Sequence, residues 1–352
     1  MRRKQIGLYI HIPFCKQKCS YCDFCSYANK ESFIKRYIQC VLKEIIEVGN
    51  NNKIDFENGK DDMFLVKTIY IGGGTPSLID SKYIVQIIED IKLNFEIDEK
   101  AEITIEVNPG TVTLEKLEDY KRAGINRLSI GLQSTHEHLL KEIGRIHTYL
   151  DFLDTFRFAR EAGFENINVD LMIGLPNQTL EEVKDSIEEI VSMEPEHISV
   201  YSLILEENTP LFKKVEEGLE LPNEDLERKM YWAVKQTLEQ NNYIHYEISN
   251  FAKKGYESKH NLDCWNQKEY IGFGIAAHSY TNGIRYSNIE NIEQYIKNYD
   301  EDKTEENLVF HEKQDMEAMQ KEYMLLGLRK IDGVSIQEFK IKFVANPVFL
   351  IS

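Results

Sequence analysis

The chain predicts an α/β fold, a parallel sheet with its connecting helices packed outside. Three observations lead there. Strand-like and helix-like segments alternate along much of the sequence, several strand-like runs end on Gly, Pro, Asn or Gln, and 352 residues suffice to bury a large core. Apolar, β-prone runs lie at 8–12, 66–71, 102–107, 127–132, 166–173 and 198–204. Stretches with helical spacing of apolar residues fall among them at 33–48, 81–93, 113–123, 138–144, 150–162 and 180–193. Six such βα units imply parallel neighbours joined by helical crossovers. A closed eightfold barrel would need two more.

The rest of the chain is read in the same way. Residues 50–62 are polar, acidic and glycine-bearing, which suggests a surface insertion, and 222–242 is expected to be a long helix. Beyond about Asn288 the character becomes helix-rich, with one amphipathic helix at 313–330 and another opened by Ser335 as N-cap. The expected organisation is 1–220 as the α/β unit, 221–288 as a flanking segment and 289–352 as a small helical accessory domain.

Composition excludes some functions. Hydrophobic residues at 42% and charged residues at 29% describe a soluble globular protein, and the net charge of −17 argues against a nucleic-acid backbone as partner. Most of the six cysteines (15, 19, 22, 25, 40 and 264) crowd into one loop, which points away from a disulfide framework and towards a reducing, cytoplasmic location. The basic start is followed by a strand and not by the apolar core of a signal peptide, and no apolar run has the length of a membrane span.

The densest chemistry follows the first strand. Cys15, Cys19 and Cys22 have the spacing C-x3-C-x2-C on a short loop, and thiolates this close are expected to share a metal. Two readings fit the loop alone. Zinc would recruit a fourth ligand, with Cys25 at hand, whereas an iron–sulfide cluster would accept three thiolates and keep one iron open. A second motif, Gly72-Gly73-Gly74-Thr75-Pro76, directly follows another strand. Consecutive glycines let backbone N–H groups approach a ligand closely, although such a run also makes a tight turn. Glu106, Gln133, Arg145 and Asp170 lie in or just beyond later strands, where each alone reads as an ordinary polar group making local hydrogen bonds.

Together, the cysteine loop and the GGGTP segment resemble the radical S-adenosylmethionine (SAM) superfamily. That resemblance implies an open six-unit (βα)6 partial barrel with a small winged-helix-like C-terminal domain, shortened here because little chain follows Asn346. It implies a [4Fe-4S] cluster on Cys15, Cys19 and Cys22, the free iron chelating SAM, and Tyr21 near the adenine. It also carries over Tyr9, Gly73, Gly74, Thr75, Glu106, Gln133, Arg145 and Asp170 as SAM contacts, with His11 and His147 behind them.

The resemblance narrows to the coproporphyrinogen oxidase-like branch through His11-Ile-Pro13, Cys22-Asp-Phe24, Gly131-Leu-Gln-Ser134, residues 170–176 and residues 246–250. It leaves two activities open. One is the oxygen-independent coproporphyrinogen III dehydrogenase, which oxidatively decarboxylates propionates to vinyls in porphyrin biosynthesis. The other is a heme chaperone that delivers heme to respiratory proteins without that reaction, whether or not SAM is cleaved. Three features favour the chaperone: no long extension precedes Tyr9, Phe24 stands where the dehydrogenase has a further cysteine, and His260-Asn261-Leu262-Asp263-Cys264-Trp265 resembles the chaperone's HNxxYW segment. There Cys264 replaces the usual tyrosine; His260 becomes the heme candidate, with His278 as a second. The implied partners are heme, membrane-associated heme-accepting respiratory proteins and a second copy of the chain as a homodimer, with no nucleic acid and no catalytic residue assigned.

Overall fold

The computed structural model describes residues 3–57 and 63–344. Its first strand, β1 (Arg3–Ile12), leads into a loop in which β2 (Phe14–Cys15) pairs with β3 (Tyr27–Ala28) before α1 (Ile34–Glu57). The expected alternation continues as β4 (Met63–Gly73), α2 (Ser81–Asn94), β5 (Glu96–Val107), α3 (Leu114–Ala123) and β6 (Arg127–Gln133). It ends with α4 (Glu137–Glu142), α5 (Tyr149–Glu161), β7 (Ile167–Ile173), α6 (Leu180–Ser192) and β8 (His197–Ser202). Helix starts are set by side chains: Asp80, Thr113, Thr148 and Thr179 each accept a backbone N–H of the first turn. Thr148 with Asp151 and Thr179 with Glu182 form reciprocal capping boxes, caps of this kind each being worth about 1 kcal/mol.

β1, β4, β5, β6, β7 and β8 are parallel neighbours in that order. Successive side chains on a strand face opposite ways. Ile69, Ile71, Ile103, Ile105, Leu128 and Ile130 are buried in the common core with the helices. The alternate residues are polar: Thr68 and Tyr70, Thr104 and Glu106, Arg127 and Ser129, Asn168 and Asp170, His197 and Ser199. These bond to one another across the strands, as Asn168 does to Ser129 at 2.8 Å and to His197 at 2.6 Å. One face of the sheet is therefore an apolar core and the other a polar lumen.

The remaining strands widen this sheet at both edges. After α7 (Pro210–Glu216) and α8 (Glu224–Gln240) come β9 (Ile244–Glu247) and β10 (Asn250–Ala252), and β10 adds antiparallel to β8. Then α9 (Lys259–Trp265) leads to β11 (Tyr270–Phe273), parallel to β1, and to β12 (His278–Thr281) and β13 (Ile284–Asn288). Following α10 (Ile292–Asp300), β14 (Leu308–Lys313) pairs with β13 and completes a 12-stranded sheet among the described residues. β14 thus belongs to the main sheet, and α10 packs on α1. A buried carboxylate joins these parts: Glu44 of α1 accepts from Gly274 N at 2.8 Å, Asn288 Nδ2 at 2.6 Å and the Tyr295 hydroxyl at 2.6 Å.

The helices α11 (Met316–Gly327) and α12 (Ile336–Phe343) form a separate small core around Tyr323, Phe339 and Phe343. Ser335 caps α12 as expected, accepting from Glu338 N at 3.3 Å. The expected helix at 313–330 begins later because β14 occupies residues up to Lys313. Part of the proposed insertion (58–62) and the end of the accessory domain (345–352) lie outside the described residues, and 50–57 complete α1. No helix among the described residues is long and apolar enough to cross a membrane.

Candidate functional site

The cysteine loop is fixed by backbone bonds to three parts of the fold. Gly74 N donates to Ile12 O at 2.9 Å and Thr75 N to Phe14 O at 2.8 Å, so the end of β4 holds the start of the loop. Tyr27 N closes back on Pro13 O at 2.7 Å, Ser20 N reaches Ile143 O at 3.0 Å, and Leu211 N reaches Ser20 O at 2.8 Å. His11 braces the far end, its Nε2 lying 2.8 Å from Cys25 O and its Nδ1 2.9 Å from the Tyr9 hydroxyl. Burial lowers the His11 pKa; the neutral ring then donates from Nε2 and accepts from the tyrosine.

The glycine run earns its composition here. A Cβ on Gly74 would lie 2.9 Å from Cys15 Sγ and 3.0 Å from both Phe14 O and Pro13 C. Two of these are backbone atoms that cannot swing aside. Gly74→Ala is expected to cost roughly 1–3 kcal/mol of local strain and to unseat the loop, lowering iron and sulfide loading while far-UV circular dichroism stays unchanged.

At the C-terminal ends of the strands the loop covers a cavity of about 570 Å³, within the size range of a small-molecule site. Cys15, Cys19 and Cys22 line it, as do Gly73, Gly74, Thr75, Glu106, Gln133, Arg145 and Asp170, together with Tyr21. Tyr9 is not in the lining; it stacks on Tyr70 with ring centroids 6.3 Å apart and bonds to His11. His147 is also set back, with Nε2 3.2 Å from Leu132 O and its pKa lowered to about 4 by burial and Arg145. Cys25 turns away, its Sγ meeting Glu290 O at 3.7 Å. Tyr70, Asn108, Ser129 and Tyr201 also line the cavity. The strand members of that set could have been found from the period-two alternation that places polar residues on the lumen face.

Charge is concentrated in this cavity. Arg145 donates from Nη2 to Gly131 O at 2.5 Å and from Nη1 to Cys19 Sγ at 3.7 Å, while its buried Nε has no hydrogen-bond partner among the described residues. An unpaired buried donor is costly, so this atom favours a site that receives a ligand acceptor. Glu106 accepts from Tyr70 Oη at 2.9 Å and Gly73 N at 3.1 Å, yet burial, with Asp170 nearby, pushes its carboxyl up to about 7. Burial also raises Asp170, against hydrogen bonds from Asn168, Ser199 and Ser129. Gln133 ends β6 at φ +76°, a left-handed conformation uncommon outside glycine and often found at functional sites.

These residues fit a polynuclear cluster. The three loop thiols line one cavity, an all-sulfur donor set of the kind iron–sulfur clusters use, and Cys15 accepts from the Thr75 hydroxyl at 3.5 Å. Burial raises the Cys15 and Cys22 thiols, so loading the site must release protons.

His260 lies elsewhere. It sits on α9 with Nδ1 2.9 Å from the Thr68 hydroxyl, its ring stacked 5.2 Å from Tyr70, and its backbone N–H on Glu102 at 3.1 Å. Burial and Arg127 lower its pKa to about 4. It is 8% exposed and outside the cavity lining.

Parallel barrel and thiol-lined cavity together define a radical SAM protein, and the Radical SAM superfamily model matches residues 9–190. The chain is 38% identical over 344 residues to the heme chaperone HemW of Lactococcus lactis, covering 97% of this chain and 86% of that protein. It is 41% identical over 339 residues to HemW of Bacillus subtilis, covering 95% and 86%. Among solved structures it superposes on the coproporphyrinogen III oxidase HemN from Escherichia coli with a TM-score of 0.82 at 21% identity, over 97% of this chain and 80% of that one. The HemN likeness concerns the fold alone. Within the superfamily, the chain belongs to the HemW family.

Proposed function

We propose that this chain is a heme chaperone that holds a [4Fe-4S] cluster and SAM in the cavity, carries heme and delivers it to respiratory proteins from the cytoplasm. The observation that carries the reading is the near-full-length identity to HemW proteins in a chain whose loop thiols share one cavity. Cys15, Cys19 and Cys22 would hold the cluster, which when bound supplies a reducible iron centre with one position for SAM. Gly73, Gly74 and Thr75 would present backbone and hydroxyl groups to the methionyl end. Arg145 would offer its free Nε to a SAM oxygen while its Nη1 stays on Cys19 Sγ. Glu106, Gln133 and Asp170 would orient the sugar and base, with Tyr9 acting from behind through His11. An acceptor protein and a homodimer complete the proposal.

The test is anaerobic reconstitution followed by titration with ferric heme and, separately, with SAM. Stoichiometric heme binding and no turnover of coproporphyrinogen III with SAM and a reductant are the expected results. Conversion of coproporphyrinogen III, or no heme binding by the loaded protein, would overturn the chaperone reading.

A further inference from the structure

The turn that follows the glycine run is tied to the end of β5 by a closed set of hydrogen bonds. Asn108, directly after β5, donates its backbone N–H to the Ser77 hydroxyl at 3.0 Å. Its carbonyl accepts from Thr111 N at 3.2 Å and from the Thr111 hydroxyl at 2.6 Å. Thr111 uses its one proton there, so the 2.6 Å contact between the Ser77 and Thr111 hydroxyls has Ser77 as donor. Lys116 closes the set from α3, with its ammonium on the Ser77 carbonyl and, at 3.2 Å, on that of Thr111. Both backbone groups of Asn108 are therefore held, which limits where its side chain can reach.

That side chain joins two parts of the cavity wall. Asn108 Nδ2 donates to the Thr75 hydroxyl at 3.0 Å, and the same hydroxyl donates to Cys15 Sγ at 3.5 Å. The orientation of the amide follows from its other end. A Cβ placed on Gly131 would meet Arg145 Nη2 at 2.6 Å, Gln133 Nε2 at 3.1 Å and Asn108 Oδ1 at 3.3 Å. Arg145 can only donate, so the amide oxygen belongs on that side and the nitrogen is left for Thr75. A hydroxyl has a single proton. With an N–H aimed at its oxygen, the Thr75 proton is directed to the sulfur. The Ser26 hydroxyl, the other donor near Cys15, is engaged with Phe24 O at 3.3 Å.

We infer that Asn108 is a positioning residue for the cluster: it aims the Thr75 hydroxyl proton at the Cys15 sulfur, and that hydrogen bond raises the reduction potential of a cluster bound there. The inference rests on the [4Fe-4S] reading above. A hydrogen bond to a ligating thiolate offsets negative charge. The reduced cluster carries one electron more than the oxidised one, so the bond favours the reduced form. The same amide faces Arg145 and Gln133 through its oxygen, and so links the wall proposed for SAM to the sulfur of a cluster ligand.

The experiment measures the midpoint potential of the reconstituted full chain, without SAM, by anaerobic redox titration. It is read in the iron–sulfur absorbance and in the paramagnetic resonance of the reduced cluster, with iron and sulfide content and circular dichroism as controls. Thr75→Val is expected to favour the oxidised form about tenfold, a fall of about 59 mV for one electron. Thr75→Ser should keep the wild-type value, and Thr75→Ala serves as a second hydroxyl-free variant where valine impairs loading. Asn108→Asp keeps the shape of the amide, but its ionised carboxylate can only accept, so the Thr75 proton should turn to it from the sulfur. The added charge lowers the potential in any background. The turned proton is the excess fall with Thr75 present over that in Thr75→Val. Equal falls from Asn108→Asp in both backgrounds, or a wild-type potential in the hydroxyl-free variants, would overturn the inference. A wild type that assembles no iron–sulfur cluster would instead overturn the cluster reading itself, and this inference with it.

Discussion

Cys15→Ala, Cys19→Ala and Cys22→Ala are each expected to emerge from anaerobic reconstitution without the brown iron–sulfur absorbance and without SAM binding, whereas Cys25→Ala should load fully. The reason is geometric. The first three thiols line one cavity, while the fourth faces the Glu290 carbonyl on the other side of the loop. A cluster held by two thiolates keeps two irons open to water and is readily lost. Iron and sulfide analysis of the four variants is the check. Full loading of Cys22→Ala, or loss in Cys25→Ala equal to the others, would overturn this ligand set, and a colourless wild type without iron or sulfide would return the loop to the zinc reading.

The second large effect concerns Glu106. Its folded-state carboxyl titrates at about 7 against an ordinary value of 4.5, chiefly through burial. The folded empty protein keeps this proton where the unfolded chain has released it. The resulting stabilisation is fully present below about pH 4.5 and is lost as pH rises through about 7, a change on the order of 3 kcal/mol. Glu106→Gln should therefore flatten the fall in melting temperature of the empty protein between about pH 5 and 8. SAM binding should run the opposite way. An ionised Glu106 is the better acceptor for ribose hydroxyls, so the affinity of the loaded wild type should rise through about pH 7, and the glutamine variant should bind more weakly with a flat profile. Parallel pH profiles in wild type and variant would remove Glu106 from both accounts.

Much of this was legible in the residues. Each of the six βα units follows from apolar periodicity, and the caps at Thr113, Thr148 and Thr179 mark helix starts by side-chain chemistry alone. The cysteine and glycine motifs were legible because their residues lie close together in the chain, a loop of eight residues from Cys15 to Cys22 carrying all three thiols. The strands β9 to β14 were not. They are short, pair largely antiparallel at the sheet edges, and depend on partners far away in sequence, so local pattern carries little of their signal. His260 shows the same limit within the site. A motif names the residue, but only packing against Tyr70, Thr68 and Glu102 decides which way its ring nitrogens face.

The sequence by itself determined the α/β class and, through its motifs, many of the residues that line the cavity, because these depend on periodicity and on residues close together in the chain. The tertiary structure alone decided that Cys25 faces away and that His260 packs against Thr68 and Tyr70. Each of those outcomes depends on long-range pairing, which brings distant side chains within a few ångströms and which local sequence does not encode.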